Sequence, residues 1–494
     1  MQGKKVTTRR YRQLPKRLCG WLGVAALLFS GSVQADFARL SQLGDKGFLI
    51  SAEARLLGSG GPELTLGAIE PNRQLSPASV TKAYLSAAAL ERFGPQHRFT
   101  SRLLSTAPVD AQGVVQGDLI FEGGGDPALT SEDLWRLVQR LQQAGVREIT
   151  GGLVVSQWRF GPVSCITTDR CQAQTRVANS YSALLSSAGV NYGNWCVNVA
   201  PGAAPGEPAR VTNCDSPMEL SRVDNRVVTR PANSGTEISA ERVTDESGDV
   251  MVLSGQISTN AQARDIYRAA SDPAQQTAQT LSAMLDQAGI TQREPARTTT
   301  TQPPAGAVVL AAVDGKPLQE LLLRTMNYSN NFMADTLALS LVETPRAELR
   351  QAGRALEGFA ETLPGHGPVE LHSGSGLTTE NRTSAHGVNV MLESMFHEGP
   401  LFPSFVATFQ SPANGVMRFI RRGSETFQNN VMLKTGTLNQ PVAVRAVGGY
   451  FRTVSGRWGV FSVLVNGTTS TPYLNWTQVL EPLAHDLESF IVAH

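Results

Sequence analysis

The sequence predicts an α+β protein built on an antiparallel sheet flanked by helices and interrupted by long inserted segments. Three observations carry that expectation. The apolar runs at 430–438, 442–451 and 456–465 follow one another through short connections and lead into a helical pattern at the C-terminal end. That order is expected when consecutive strands pair antiparallel and helices cover the sheet. Residues 46–56 alternate like a strand and precede a helical pattern over 77–93. Between these two ends, residues 98–307 mix strand and helix patterns of their own, and the 459 residues after residue 35 are more than one core normally organises.

Taken in order, the first 35 residues form a separate class of segment. Seven basic residues and no acid precede the apolar run "LCGWLGVAALLFSG", and "SVQA" supplies small residues before Asp36. The apolar run is too short for a comfortable transmembrane helix, so the pattern is a secretory signal peptide cleaved after Ala35, with an uncleaved N-terminal anchor as the alternative. Its removal takes away seven of the 43 Lys and Arg and none of the 42 Asp and Glu, which leaves 36 against 42 and a formal charge of −6. A mildly acidic exported chain is a poor electrostatic partner for nucleic acid. No later run is long and apolar enough to span a bilayer.

Pro77 opens the 77–93 helix, with Val80, Tyr84, Leu85 and Ala88 at helical spacing. Residues 113–156 read as strand, turn, helix, strand, with Thr130 and Asp133 as an N-terminal cap and Gly145 as the stop. Residues 157–248 are loop-rich and hold Cys165, Cys171, Cys196 and Cys214. In an exported protein these suggest disulfides, of which three pairings are possible and 165–171 with 196–214 is the nearest-neighbour one. A zinc site would need a CxxC or clustered histidines, which are missing. A strand at 249–257 and a helix ending at Gly289 follow, and the Pro/Thr-rich stretch 293–307 reads as a crossing between domains. A helical stretch over 318–343 precedes the three terminal strands. In the last helix, Glu481, Asp486 and Glu488 fall on the polar side of an apolar stripe, as on a packed surface helix. The expected division is 36–97 with 308–494, 98–156 with 249–307, and 157–248.

Four lysines follow residue 35, namely Lys46, Lys82, Lys316 and Lys434. One ends Ser79-Val-Thr-Lys82, where three-residue spacing on a helix places hydroxyl and amine on one face. Another opens Lys434-Thr435-Gly436 on an expected strand. Ser329-Asn330-Asn331 lies between them in a helical region, whereas the equally good match Ser258-Thr259-Asn260 lies elsewhere. Singly, each motif reads as helix surface or helix cap. Together and in this order they are the three motifs of serine acyl-transferring enzymes that react with penicillin. A serine hydroxyl needs a neighbouring base, and a lysine serves only when burial and nearby cations lower its pKa.

The chain resembles the low-molecular-mass class C penicillin-binding proteins, the D-alanyl-D-alanine carboxypeptidase/endopeptidase family. The resemblance rests on the motif set, on the gap of 250 positions from Ser79 to Ser329, and on the gap of 105 from there to Lys434. "GGGDPALT", "SNNFMAD", "GSGL" and "LKTGTL" are also similar to family sequence, whereas Ser373 stands where the family usually has Asp. The resemblance implies a penicillin-binding transpeptidase/β-lactamase-like domain with inserted α/β and β-rich domains. It also implies a periplasmic enzyme acting on peptidoglycan stem peptides and acylated by β-lactam antibiotics, without metal or cofactor. Ser79 would be the nucleophile, Lys82 its base and Ser329 a proton relay. Asn331 would bind the substrate amide, and Lys434, Thr435, Gly436 and Thr437 the substrate carboxylate and backbone. The N–H groups of Ser79 and Thr437 would form the oxyanion hole. A serine β-lactamase shares the motifs, and Tyr328-Ser329-Asn330 overlaps the Tyr-x-Asn pattern of one such class; a non-catalytic wall-binding protein would keep the fold without the chemistry. Asp169 would be the residue facing a diaminopimelate side chain. A Ser-His-Asp triad around His372 lacks the Gly-x-Ser-x-Gly elbow.

Overall fold

The computed structural model describes residues 37–58, 61–214 and 222–494. The signal peptide expected over 1–35 lies outside these residues. Among the described residues no helix is long and apolar enough to cross a membrane.

The terminal strands pair as expected. Val431–Leu438, Val444–Arg452, Trp458–Asn466, Leu49–Leu56 and Leu64–Ile69 form one antiparallel sheet in that order, so both ends of the chain meet in it. The sheet has a core on each face. The Ala385–His397 helix packs on one face against the Leu49–Leu56 and Trp458–Asn466 strands, beside the Thr81–Phe93 and Leu318–Asn327 helices. On the other face lie the Trp476–Ala493 helix and the 3-10 turn Leu40–Lys46. Double coverage explains why Leu49–Leu56 is buried almost throughout rather than on alternate residues, although its sequence alternates. Its Glu53 is held under the sheet by Asn389 at 3.0 Å and by His386 at 3.1 Å.

Asp486 corrects an expectation for the last helix. Its carboxylate is buried rather than on the solvent side and accepts the N–H groups of Leu40 at 3.0 Å and Arg39 at 3.3 Å. It thereby ties the C-terminal helix to the first turn of the described chain, a long-range partner that helical periodicity cannot show.

The inserted region contains a five-stranded mixed sheet in the order Arg297–Thr299, Leu153–Ser156, Leu119–Glu122, Thr100–Ser105, Val308–Asp314. The Ser131–Gln143 and Pro273–Gln287 helices pack on it. Thr130 and Asp133 form the expected capping box, with the Thr130 N–H donating to Asp133 at 3.0 Å. A second core, around Trp195, Val197 and Leu253, lies between a three-stranded and a four-stranded sheet. The four cysteines form Cys165–Cys171 and Cys196–Cys214 bridges.

The strand pairings depart from the expected division at two places. Gly248–Ser258 and Arg264–Ala269 pair with strands of 157–248, so that sheet system continues to Ala269. Val308–Asp314 pairs with Thr100–Ser105 and closes the five-stranded sheet. Apolar alternation marks these as strands but carries no information about which sheet they join.

Candidate active site

The Ser79 hydroxyl sits on a tight turn. Ala78 holds a left-handed φ of +44°, the 3-10 turn Ala78–Val80 follows, and the Thr81–Phe93 helix continues from it. The Thr81 hydroxyl donates to the Ala78 carbonyl at 2.8 Å and fixes the turn. One helical turn on, Lys82 is fully buried with its Nζ 3.0 Å from Ser79 Oγ, 2.8 Å from Asn331 Oδ1 and 2.7 Å from the Ser375 carbonyl. The last two partners can only accept. A neutral amine has two hydrogens and one lone pair, so it donates to those two and leaves the lone pair facing the serine hydroxyl. Asn331 is held in that orientation because its amide nitrogen donates to the Tyr181 carbonyl at 3.3 Å.

Ser329 and Asn331 come from the turn that starts the Asn331–Ser340 helix. Asn330 caps this helix by accepting the Met333 N–H at 2.9 Å, which leaves its neighbour Asn331 to face Lys82. Ser329, at a φ of +52°, places its hydroxyl 2.9 Å from Lys434 Nζ. Non-glycine residues in this region are strained and cluster at functional sites. Both strained positions here adjoin or carry one of the two hydroxyls. Tyr328, the tyrosine of the overlapping Tyr-x-Asn pattern, is 67% exposed.

The edge strand Val431–Leu438 supplies the opposite wall. Lys434 also donates to the Thr435 carbonyl at 2.6 Å. A Cβ at Gly436 would stand 2.5 Å from the Pro77 carbonyl and 2.8 Å from the Ser79 nitrogen, so only glycine lets the strand approach the serine turn. Thr437 is exposed, with its hydroxyl accepting the Trp476 indole N–H at 3.1 Å.

Both lysines are driven toward the neutral form. Burial lowers Lys82 well below an ordinary lysine, and the positive charges of Lys434 and Arg170 push it further, against the carboxylate of Asp335. Burial brings Lys434 down to about 7. Two hydroxyl–amine pairs, Ser79 with Lys82 and Ser329 with Lys434, thus border a cavity of about 920 Å³ that Ser79 and Ser329 line. Ser79, Thr435 and Thr437 line the cavity together with Thr167, Asp169 and Tyr181 of the inserted segment.

The remaining sequence candidates fall elsewhere. The Ser258 hydroxyl pairs with Asn260 at 2.6 Å in the inserted sheets. His372 pairs with Glu370 at 2.9 Å. Ser373, the departure from family sequence, accepts the Gly376 N–H at 3.1 Å. Sequence reasoning missed three groups that support the cluster: Ser375, Asp335 and Arg170. The first two lie inside "GSGL" and "SNNFMAD", where a signal existed. Arg170 carries none beyond its place next to Cys171.

A fold in which the two ends of the chain build a sheet-and-helix body, with the serine-lysine cluster at its edge strand, defines a class of serine hydrolase. Residues 68–483 match the D-Ala-D-Ala carboxypeptidase 3 (S13) family, and the chain belongs to that family. It is 29% identical over 413 residues to the D-alanyl-D-alanine carboxypeptidase of Actinomadura sp. (strain R39), covering 80% of this chain and 74% of that protein. It is 24% identical over 404 residues to D-alanyl-D-alanine carboxypeptidase DacB of Haemophilus influenzae, covering 79% and 80%. The fold matches the crystal structure of penicillin binding protein 4 (dacB) from Haemophilus influenzae with a TM-score of 0.73 at 20% identity, over 91% of this chain and 99% of that one. That protein has also been solved in complex with a β-lactam, and the match to it has a TM-score of 0.70.

Proposed function

We propose that the chain is a periplasmic serine DD-peptidase that hydrolyses the D-alanyl-D-alanine bond of peptidoglycan stem peptides, or a D-alanyl cross-link between them, through an acyl-enzyme on Ser79. The observation that carries this reading is the buried Lys82 amine 3.0 Å from the Ser79 hydroxyl, with its other two contacts taken by acceptors. Neutral Lys82 takes the hydroxyl proton as Ser79 Oγ attacks the scissile carbonyl. The N–H groups of Ser79 and Thr437 stabilise the oxyanion. Collapse of the tetrahedral adduct breaks the C–N bond, and the leaving amine takes a proton through Ser329 from Lys434, its neighbour at 2.9 Å; the proton that Lys82 gained replaces it on Lys434, so that Lys82 is neutral again. Water, deprotonated by the same base, then attacks the ester, releases the shortened peptide and returns the proton to Ser79 Oγ.

The substrate carboxylate would sit beside Lys434, Thr435 and Thr437, and Asn331 would take the substrate amide. A bound carboxylate favours the charged form of Lys434, so anionic substrates raise a pKa that burial alone holds at about 7. β-Lactams present the same carbonyl and carboxylate, and a relative's complex with one supports their acylating Ser79 here. The basic, apolar-cored N-terminal 35 residues support export.

The test is digestion of purified cross-linked and uncross-linked muropeptides, with Ser79→Ala as control and fluorescent penicillin as a covalent label. Wild type should cleave at least one substrate and carry the label on Ser79, and the variant should do neither. Cleavage of neither substrate by folded wild type would refute the assignment, and rapid turnover of the label instead of a persistent adduct would favour a β-lactamase.

A further inference from the structure

We infer that Arg170, carried on the disulfide-closed 165–171 loop of the inserted segment, is a positioning residue of the Lys82 site: it holds Asp335, and through Asp335 the Ser375 backbone that orients the Lys82 amine. The inference rests on the DD-peptidase reading for its catalytic consequence, but its geometry stands independently.

The Arg170 side chain is 2% exposed and that of Asp335 is fully buried. Arg170 Nη1 donates to Asp335 Oδ2 at 2.6 Å, and the other carboxylate oxygen accepts the Ser375 N–H at 2.7 Å. The Ser375 carbonyl accepts from Lys82 at 2.7 Å. A second arm reaches the same amine from the other side. Arg170 Nη2 donates to the Asn331 carbonyl at 3.4 Å, and the Asn331 side chain accepts from Lys82. One guanidinium thus supports both acceptor-only partners that aim the lysine lone pair at Ser79. Arginine suits this task because its planar fork can serve a carboxylate and two carbonyls at once. Its Nε–H is taken by the Ala183 carbonyl at 3.2 Å, so the side chain has no freedom to swing away.

The loop that carries Arg170 is itself fixed at several points. The Cys165–Cys171 bridge closes it, Thr167 caps the short Thr168–Gln172 helix, and buried Arg242 of the inserted sheet donates to the carbonyl of Ala173. An insertion whose Arg170 lies 91 positions after Ser79 and 159 before Ser329 therefore reaches back into the base network. The charged groups acting on Lys82 are Lys434 on the edge strand, Asp335 on the Asn331–Ser340 helix and Arg170 on this loop. Removing Arg170 withdraws a cation and leaves the Asp335 carboxylate without its ion partner. Both changes favour the charged amine, so the base is active only at higher pH.

The test reads two quantities. The first is the rate of acylation by fluorescent penicillin from pH 5 to 10. The second is the titration of Lys82 by NMR of isotope-labelled lysine, which is resolvable because only four lysines follow residue 35. For Arg170→Met, the acid limb and the Lys82 midpoint should move up by about one pH unit, and the rate at neutral pH should fall about tenfold, one unit being a factor of ten. Asp335→Asn should move the midpoint down, Arg170→Lys should recover most of the wild-type profile, and Cys165→Ser with Cys171→Ser should shift it in the same direction as Arg170→Met by less. A uniform loss at every pH with an unmoved midpoint would mean a merely structural residue and overturn the inference. Should Arg170→Met fail to fold, Arg170→Lys and the cysteine pair decide the matter by the same midpoint. Wild type that titrates as described but takes no label would refute the DD-peptidase reading and leave the positioning role standing.

Discussion

Replacing Lys434 with methionine should make the protein more stable at neutral pH while removing its activity. Burial holds the Lys434 pKa at about 7, against 10.5 for an ordinary lysine. At 1.36 kcal/mol per unit, a charged Lys434 then costs the fold up to ~5 kcal/mol. The unfolded chain binds this proton up to about pH 10.5 and the folded chain only up to about pH 7. Stability therefore rises between those values and the full cost is felt below them. Methionine gives up two hydrogen bonds, to Ser329 at 2.9 Å and to the Thr435 carbonyl at 2.6 Å, together about 2 kcal/mol net. It also removes a positive charge that disfavours protonated Lys82, a relief of the same sign. The variant should thus be ahead by about 2–3 kcal/mol at pH 6.5, seen as a rise of a few degrees in Tm, and level with or behind wild type near pH 10. Thermal melts of both proteins at pH 6.5, 8 and 9.5 measure the crossing. A variant less stable than wild type at pH 6.5, or a difference that does not narrow with pH, would refute the burial argument.

Two further outcomes follow from single contacts. Gly436→Ala should lower the melting temperature and cut acylation by about a hundredfold, because the new methyl meets the Pro77 carbonyl and the Ser79 nitrogen, both backbone atoms, and displaces the strand from the serine by a fraction of an ångström or more. Asp126, pushed up to about 6 by burial, destabilises the fold as pH rises through its titration; Asp126→Asn should gain up to ~3 kcal/mol at pH 8 in urea unfolding, and the gain should disappear by pH 4.

Much of the fold was legible because its signals are local. Three consecutive apolar strands, the Thr130 capping box and the Gly145 stop each report on neighbours within a few residues, and the structure contains all of them. The site was legible for a different reason. Lysine is scarce after residue 35, so two lysines in paired motifs stood out from composition alone. Sheet membership was not legible. Gly248–Ser258 pairs with Val223–Arg230 and Glu237–Asp245 rather than with the sheet that Val308–Asp314 closes, and strand patterning is silent on the partner. Asp486 failed for a related reason: helical periodicity placed it outward, but two N–H groups far away in sequence made its burial tolerable.

The same limit explains why the support of the site was harder to read than the site. Ser79 and Lys82 are brought together by one helical turn, which three-residue spacing reveals. What suits Lys82 to the proposed role of base is not that spacing but the acceptor-only character of its other contacts, and these come from Asn331 on a distant helix and Ser375 in a loop. Gly376, at a φ of +72° with its Cβ position already occupied by the Ala78 carbonyl, lets that loop lie directly against the serine turn. Arg170 then braces both acceptors from within the insertion. A serine and a lysine on one face of a helix are common; a lysine in a dry site with one lone pair and one hydroxyl to face is not. The inserted segment that separates Ser79 from Ser329 in the chain is, through Arg170, part of what makes the pair different from an ordinary helix surface.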